Sequence, residues 1–258
     1  MPAGGRRRAL GQHFLRDPAI VAAIVDLVAP TAADLVLEIG PGQGALTPLL
    51  AARAGRFLAI EIDPALAARL QDRFDVRVAD ARTFDYRTLV APGGRVLAVG
   101  NLPYSVAKPI LLSLDAARDV IAEMALMLQK EVAERLAAGP GGRSYGSLSV
   151  LTQLSWEVRL ALRVPPGAFR PPPLVDSAVV HMRARPGPAV VVGDERHFRR
   201  IVLAAFGQRR KALANALAAG LHVPVTTARE RLLRAGIDPG RRAETLTLAE
   251  IARLAAEC

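Results

Sequence analysis

Near its N-terminus the chain reads Val36-Leu37-Glu38-Ile39-Gly40-Pro41-Gly42-Gln43-Gly44. The apolar part predicts a buried strand, and the amphipathic stretch that follows, Ala45–Arg53, predicts a helix. Three glycines at alternate positions let the backbone turn tightly and let a ligand approach without a clash with a Cβ atom. Ordinary strand–helix connections can have the same form, so the turn alone does not establish a binding site.

Apolar runs alternate with amphipathic stretches, such as Pro64–Arg73, over the first two thirds of the chain. This alternation is typical of an α/β fold in which helices connect parallel strands. A strand that follows a proline run commonly lies at an edge, so we expect the last strand to close the sheet. The predicted strands are Leu35–Ile39, Phe57–Ile60, Val76–Val78, Val96–Val99, Ala125–Leu128, Val158–Val164 and Val175–Met182.

The pattern becomes helical after the break Arg185-Pro186-Gly187-Pro188. Phe198, Ile201 and Val202 fall on one helical face, while nearby arginines fall largely on the other. Spaced leucines predict further short helices toward the C-terminus. We therefore expect an α/β domain over residues 1–184 and a small all-α domain over residues 185–258.

The composition is that of a globular protein, with 51% apolar and 4% aromatic residues among 258. No apolar run reaches the roughly 18–20 residues that span a bilayer, and Arg6-Arg7-Arg8 does not begin a signal-peptide pattern. The single cysteine, Cys258, excludes an intrachain disulfide, and the histidines lack metal-ligand spacing. We expect a cytoplasmic protein without membrane or metal, and a monomer, because no heptad seam is present.

The net charge of +10 indicates an anionic partner. Only three of the 34 basic residues are lysines, a bias that genome composition could also produce. The distribution favours a docking surface, because residues 185–258 contain 13 basic and seven acidic residues. Nucleic acid is therefore the partner that the charge favours.

Two carboxylates follow the glycine turn at the ends of successive predicted strands. Glu61 stands 21 residues after Gly40 and could accept hydrogen bonds from both hydroxyls of a ribose. Asp80 follows the third strand and is placed to contact an adenine edge. The spacing GxGxG, rather than GxGxxG, favours a ligand without a pyrophosphate and argues against a nicotinamide-dependent oxidoreductase. S-adenosylmethionine, an adenosine that carries a methionine, fits this pattern.

Asn101-Leu102-Pro103-Tyr104 follows the fourth strand. The tetrapeptide could be an ordinary turn, but its groups also suit methyl transfer to the N6 amine of adenine, whose lone pair is delocalised into the ring. The Asn101 side-chain oxygen and the Leu102 carbonyl, held extended by Pro103, could accept the amine protons. Tyr104 could stack on an extruded base. No general base is needed, because the proton can leave to solvent after transfer.

Eight motifs occur in one order between Leu10 and about Leu254. They are Gln12-His13-Phe14-Leu15, Glu38-Ile39-Gly40-Pro41-Gly42, Asn101-Leu102-Pro103-Tyr104, Leu128-Gln129-Lys130-Glu131-Val132-Ala133, Tyr145-Gly146, Phe169-Arg170-Pro171-Pro172-Pro173, Val175-Asp176-Ser177-Ala178-Val179-Val180 and Phe206-Gly207-Gln208-Arg209-Arg210-Lys211. Together they resemble the KsgA (RsmA) family of rRNA adenine N6,N6-dimethyltransferases. The resemblance implies a Rossmann-like S-adenosylmethionine-dependent methyltransferase fold followed by a small helical domain.

The resemblance also implies a reaction and its residues. The reaction is dimethylation of two adjacent adenosines in the 3′-terminal hairpin of 16S rRNA, in the small ribosomal subunit or an assembly intermediate, with S-adenosylhomocysteine as product. Tyr104 and Phe169 would flank the target adenine, although Phe169 could instead be a core aromatic. The residues implied to contact the methyl donor or line its pocket are His13, Leu15, Gly40, Gly42, Glu61, Asp80 and Asn101.

Two positions depart from the family pattern. His13 stands where many relatives carry Asn, and Ser105 stands where Asn is common. The candidate RNA phosphate contacts, for which a solvated helix face is the alternative, are Arg199, Arg200, Arg209, Arg210, Lys211, Arg241 and Arg242.

Two alternative functions stay open. One is the related Erm group, which methylates an adenine of large-subunit rRNA. The other is a non-catalytic RNA-binding or ribosome-assembly factor on the same fold, against which the intact Gly40, Glu61, Asp80 and Asn101 argue.

Overall fold

The computed structural model describes residues 13–258, so Gln12 and the Arg6-Arg7-Arg8 run lie outside the described residues. Nine strands are present in this range. They are β1 (Phe14–Leu15), β2 (Leu35–Ile39), β3 (Arg56–Glu61), β4 (Val76–Val78), β5 (Val96–Asn101), β6 (Ile121–Gln129), β7 (Trp156–Val164), β8 (Phe169–Arg170) and β9 (Ser177–Ala184).

Seven of these strands form one sheet in the order β4-β3-β2-β5-β6-β9-β7, while β1 and β8 form a separate antiparallel pair. β2 pairs in parallel with β3 on one side and with β5 on the other, and β5 pairs in parallel with β6. Their register places Ile39 beside Ile60 and Gly100, so the three strands end at a common edge. The predicted parallel α/β architecture is confirmed.

The prediction that Val175–Met182 lies at an edge of the sheet is wrong. The strand begins at Ser177 and lies between β6 and β7, with antiparallel pairing to β6. Its residues 177–182 are all buried, as in a central strand. The prolines end before the strand begins, so every N–H within it can join the ladder. The edge strand is β7, most of whose residues are partly exposed.

Ten α-helices are present among the described residues, and the predicted helix Pro64–Arg73 is shorter than expected. None of them combines the length and the apolar composition that a membrane crossing requires. They are α1 (Pro18–Val28), α2 (Thr47–Arg53), α3 (Pro64–Ala68), α4 (Ala107–Asp115), α5 (Lys130–Ala137), α6 (Ser147–Ser155), α7 (Glu195–Phe206), α8 (Leu213–Leu221), α9 (Val225–Arg234) and α10 (Leu248–Ala256).

Polar residues fix where several helices begin. Asp17, Asp63 and Asp194 accept hydrogen bonds from the first backbone N–H groups of α1, α3 and α7. Thr247 and Glu250 form a reciprocal capping box at the start of α10. These side chains satisfy N–H groups that have no carbonyl partner within the helix.

The chain divides into two compact units. One unit comprises residues 13–133 together with Val158–Ala184 and contains most of the sheet; the other comprises Glu134–Glu157 together with Arg185–Cys258 and is mainly helical. The expected boundary after residue 184 is therefore one of the places where the chain passes between the units. The expectation places residues 134–157 in the α/β part, whereas in the structure they group with the C-terminal helices.

Segment Glu134–Glu157 belongs to the helical unit because its apolar side chains lie in that unit's core. Tyr145 and Leu154 are buried in the same cluster as Phe198 and Ile201 of α7. These partners are distant in sequence, so neither composition nor punctuation marks the segment as part of the helical unit.

A buried group of charged side chains joins β6 to β9. Glu123 and His181 are both buried and hydrogen-bonded to each other. Arg159 Nε donates to His181 Nδ1 over 2.8 Å, so the ring proton lies on Nε2 and faces Glu123. Arg95 and Arg183 also contact the Glu123 carboxylate, at 3.0 and 3.2 Å. Burial lowers the pKa of His181, because the cationic ring loses its hydration.

The contribution of His181 to stability should therefore fall at acidic pH. As the pH drops below about 6.5, the unfolded chain binds a proton at His181 that the folded chain does not bind, and the free energy of unfolding decreases by up to about 1.4 kcal/mol per pH unit. We expect urea titrations between about pH 7.5 and about pH 5 to show that the stability of the wild type falls relative to that of His181→Gln, which lacks the titrating ring. Parallel profiles would mean that folding leaves the histidine pKa unchanged.

Candidate functional site

The predicted strand–turn–helix unit is present at the end of β2. Gly40 and Gly42 have φ values of +67° and +58°, in the left-handed region that favours glycine. A Cβ atom at Gly42 would lie 3.0 Å from the Phe14 ring, so the turn packs tightly against β1. The Gly40 N–H donates to the Ile60 carbonyl over 2.9 Å and joins the turn to β3.

A cavity with about 960 Å³ of empty space, including space open to solvent, lies where β2, β3 and β5 end. Such an edge is where ligands of open α/β sheets bind. Nine of the predicted site residues line this cavity together: His13, Gly40, Gly42, Glu61, Asp80, Asn101, Leu102, Pro103 and Tyr104.

Glu61 is buried at the end of β3, and both of its carboxylate oxygens accept hydrogen bonds from the backbone. The Gly42 N–H donates to Oε2 and the Asp63 N–H to Oε1, each over 3.0 Å. Burial raises the pKa of Glu61, and the two N–H groups oppose this rise because they stabilise the carboxylate. The carboxylate is thus held in one orientation at the cavity wall, with lone pairs left for a ligand.

Asp80 lines the cavity as predicted, but Arg82 holds its carboxylate in a bidentate ion pair. Arg82 Nε lies 3.0 Å from Oδ1, and Nη2 lies 2.6 Å from Oδ2. The hydrogen bond from Arg82 lowers the pKa of Asp80. A ligand amine must therefore use the remaining lone pairs of Asp80 or displace Arg82, a residue that the sequence pattern did not single out.

The side-chain amide of Asn101 has a defined orientation. Nδ2 donates to the His13 carbonyl oxygen over 2.8 Å, across 88 residues of sequence. Because a carbonyl oxygen only accepts, the nitrogen must face His13 and Oδ1 must lie on the other side of the amide. No donor to Oδ1 is present among residues 13–258. Asn101 therefore offers one oriented acceptor at the cavity wall.

Tyr104 is held at its hydroxyl and beside its ring. The hydroxyl forms a 2.5 Å hydrogen bond with Ser177 Oγ. The His13 ring lies beside the tyrosine ring, with centroids 5.9 Å apart and planes inclined by 33°, and His13 Nδ1 donates to the Pro171 carbonyl over 2.8 Å. Burial raises the pKa of Tyr104, so the phenol stays neutral at physiological pH.

Two of the residues predicted for the cofactor and adenine site lie outside the cavity lining. Leu15 and Phe169 are 5% and 2% exposed, face each other across the β1–β8 pair and belong to one apolar cluster. In this structure Phe169 is a core aromatic, which is the alternative to its expected position beside the target adenine. Both side chains instead help to hold β1, and with it His13, at the cavity.

Most of the apolar part of the cavity lining was not predicted from the sequence. Ile62 follows Glu61 directly and is 45% exposed although its side chain is apolar. An isoleucine immediately after the acidic residue at a strand end is the signal that could have identified it. The other lining residues that were missed are Phe14, Ile39, Ile60, Ala79, Ala81, Arg82, Val106 and Ile110.

The predicted basic cluster lies in the helical unit. Arg199, Arg210 and Lys211 are exposed, and among residues 13–258 their side chains have no hydrogen-bond or ion-pair partner. They are available for an anionic ligand. The described residues contain no group of His, Cys, Asp or Glu suited to hold a metal ion.

The other predicted basic residues already have partners within the unit. Arg241 binds both oxygens of Glu250, at 2.5 and 3.3 Å, and lowers the pKa of this glutamate to about 2. Arg209 and Arg242 lie 3.7 and 3.9 Å from the Glu244 carboxylate. In the structure Arg241 is therefore a structural residue that secures the start of α10. Arg200 hydrogen-bonds His197.

Glu38 lies on β2 beneath the glycine turn and is buried. Burial raises the pKa of Glu38 to about 8, against the opposing hydrogen bond from Thr47 Oγ1, and the nearby Glu61 adds to the rise. The Thr47 hydroxyl lies 2.7 Å from Oε2. The Glu38 carboxyl is thus mostly protonated at neutral pH.

The pKa of Glu38 makes a second prediction about stability. Above its ordinary pKa of 4.5 the unfolded chain releases a proton that the folded chain keeps, so the contribution of Glu38 to stability declines as the pH rises toward 8. Glu38→Gln keeps the shape and removes the titration. We expect the melting temperature of the wild type to fall, relative to that of Glu38→Gln, between about pH 5 and about pH 8. Equal pH slopes would contradict a neutral Glu38.

Comparison with known proteins places the chain in one family. The model of the family described as ribosomal RNA adenine dimethylase matches residues 5–258. The chain is 46% identical to ribosomal RNA small subunit methyltransferase A of Geobacter sulfurreducens, covering 96% of this chain and 93% of that protein. It is 47% identical to the protein of the same name from Pelotomaculum thermopropionicum, with coverage of 96% and 90%.

Solved structures show the same fold. A dimethyladenosine transferase from Plasmodium falciparum superposes with a TM-score of 0.80 at 24% identity, covering 94% of this chain and 96% of that chain. The 23S rRNA methyltransferase ErmE superposes with a TM-score of 0.72 at 26% identity, covering 95% and 98%. With the family match over nearly the whole length, these findings confirm the expected Rossmann-like methyltransferase fold. The chain belongs to the ribosomal RNA adenine dimethylase family of S-adenosylmethionine-dependent methyltransferases.

Proposed function

We propose that the protein dimethylates the N6 amines of two adjacent adenosines in the 3′-terminal hairpin of 16S rRNA and thereby contributes to small-subunit biogenesis. The observation that carries the proposal is the meeting of Asn101-Leu102-Pro103-Tyr104 with Glu61 and the glycine turn in one cavity. The name of the bacterial relatives, ribosomal RNA small subunit methyltransferase A, supports the choice of ribosomal subunit. We place the reaction in the cytoplasm and expect the enzyme to act as a monomer on a subunit assembly intermediate.

The cavity has groups that fit S-adenosylmethionine. Gly40 lines it with no atom within 4 Å of an added Cβ, so its backbone is open to a ligand. Glu61 would accept from the ribose hydroxyls, Ile62 would contact the adenine face and Asp80 the adenine edge. When bound, S-adenosylmethionine would supply a methyl group that is activated by its attachment to a sulfonium sulfur.

The residues of the tetrapeptide would prepare the adenine amine. Oδ1 of Asn101 and the carbonyl oxygen of Leu102 would accept the two amine protons and draw them out of the plane of the ring, which frees the nitrogen lone pair. The hydrogen bond from Nδ2 to the His13 carbonyl oxygen keeps Oδ1 on the opposite side of the amide, where it can accept an amine proton. These acceptors are in place before the substrate arrives, so little reorganisation is needed during the reaction.

Tyr104 would support the extruded base with its ring. The phenol of Tyr104 is neutral, and the hydrogen bond between its hydroxyl and Ser177 keeps the ring in one position. Phe169 would join this stack only by leaving the apolar cluster beneath β1, so its proposed role is to support His13.

The exposed basic side chains of the helical unit would contact RNA phosphates. Arg199, Arg210 and Lys211 are the strongest candidates because their side chains have no partner within residues 13–258. Arg200, Arg209 and Arg242 would contribute after rearrangement of their present contacts, and Arg241 contributes by ordering the start of α10.

The first test of this proposal is methyl transfer from labelled S-adenosylmethionine to under-methylated small ribosomal subunits, followed by nucleoside analysis. We expect dimethyladenosine on small subunits and none on large subunits. Asn101→Ala should lower the rate by about 100-fold or more, because an oriented hydrogen-bond acceptor is lost at the reacting amine, while subunit binding persists. Labelling of large subunits alone would favour the Erm-like alternative, and binding without transfer would favour an assembly factor.

The second test concerns the phosphate contacts. Removing one contact should weaken RNA binding and lower the log–log salt slope by about one at most. We expect this change for Arg210→Ala in binding titrations at several salt concentrations. Arg69→Ala removes an exposed arginine of the α/β unit and serves as a matched control with an unchanged slope. An unchanged slope for Arg210→Ala would exclude that residue as a phosphate ligand.

A further inference from the structure

One apolar side chain stands fully in solvent beside the proposed active site. The segment Pro171-Pro172-Pro173-Leu174-Val175-Asp176 connects β8 to β9, and Leu174 within it is fully exposed. Val175 is also 47% exposed. Single exposed leucines are common on protein surfaces, so the position and the anchoring of this segment decide whether its exposure has a function.

Both ends of the segment are fastened to residues that line the cavity. The Pro171 carbonyl accepts a hydrogen bond from His13 Nδ1 over 2.8 Å. At the other end, Ser177 Oγ bonds the Tyr104 hydroxyl. Leu174 is three residues from either anchor, and three extended residues span at most about 11 Å. The backbone of Leu174 therefore lies within about 11 Å of two residues that are hydrogen-bonded to the cavity wall.

The segment is also stiff. Its three consecutive prolines hold φ near −65°, which leaves few backbone conformations. The Asp176 carbonyl accepts from the Lys130 N–H over 3.0 Å, which restrains the segment just before β9. A side chain presented by such a backbone loses little conformational entropy when a partner covers it.

The surroundings favour a nucleic acid as the partner. Arg170 adjoins the segment, is exposed, and has no side-chain partner among residues 13–258, so it can meet a phosphate. The reaction itself requires the target adenosine to leave its stack and enter the cavity. Proteins that unstack bases commonly insert an apolar side chain such as Leu into the space that opens.

We propose that Leu174 is a wedge that enters the base stack of the rRNA hairpin and occupies the space left by the target adenosine. This inference rests on the proposed function and adds a positioning residue to it. Leu174 makes no contact with the reacting atoms; it shifts the target base toward its extruded position, while Tyr104 and Asn101 receive that base.

The experiment uses under-methylated small subunits whose rRNA carries 2-aminopurine at the target position, introduced by ligating a synthetic 3′ segment. The fluorescence of 2-aminopurine rises when the base leaves its stack. With S-adenosylhomocysteine present, the wild type should raise the fluorescence on binding. Leu174→Ala should bind the subunits about as tightly, since the phosphate contacts remain, but should lose most of the rise. On natural subunits its kcat/KM should fall by about tenfold.

Three controls separate the possible outcomes. Leu174→Met, which keeps an apolar side chain of similar volume, should restore the fluorescence rise. Val191→Ala removes an apolar side chain that is 92% exposed in the helical unit and should behave as the wild type. Unchanged melting temperatures would exclude misfolding of the variants. A Leu174→Ala protein with the full rise, or a wild type that binds without any rise, would overturn the wedge.

The proposed function and the wedge fail separately. If the wild type transfers no methyl to natural small subunits, the proposed function fails. A leucine-dependent fluorescence rise on the same particles would still support the wedge. If methyl transfer proceeds equally in wild type and Leu174→Ala, the proposed function stands and the wedge is rejected.

Discussion

The parallel pairing of β2 with β3 and with β5 is the constraint on which the site depends. Parallel neighbours end at the same edge, so Gly40, Glu61 and Asn101 meet in one cavity although they are far apart in sequence. The hydrogen bond from Gly42 N–H to Glu61 then joins the turn to the neighbouring strand. A second acidic side chain, Glu38, is buried beneath the same turn. Its carboxyl group is protonated, so it adds no second negative charge near Glu61.

The site is completed from outside the sheet. β1 pairs with β8, and this pair brings the His13 carbonyl to Asn101 and the His13 ring to Tyr104. An amide side chain alone could turn either way, whereas the His13 carbonyl accepts only from Nδ2 and so defines where Oδ1 lies. Leu15 and Phe169 support this arrangement from the core. His13, which immediately precedes β1, thus orients the side chain of Asn101, a residue 88 positions away.

The chain belongs to the ribosomal RNA adenine dimethylase family, and its two units contain different features that agree with this membership. The α/β unit holds the cavity and its oriented polar groups, and the helical unit holds the surplus of basic side chains. The basic residues differ in what they can do, because Arg241 is committed to Glu250 whereas Arg210 and Lys211 have no partner among the described residues. Charge counted along a sequence cannot make this distinction, since it depends on which carboxylates fold beside each arginine.

Local spacing determined the strands that carry the site, the glycine turn, Glu61, Asp80 and the tetrapeptide at Asn101, because each is a short-range pattern with its own backbone or chemical requirement. The tertiary structure decided everything that depends on partners distant in sequence. It buried Phe169, moved segment Glu134–Glu157 into the helical unit and set β9 inside the sheet. These outcomes follow from long-range packing, in which a side chain's role depends on its neighbours in space, and no local pattern specifies those neighbours.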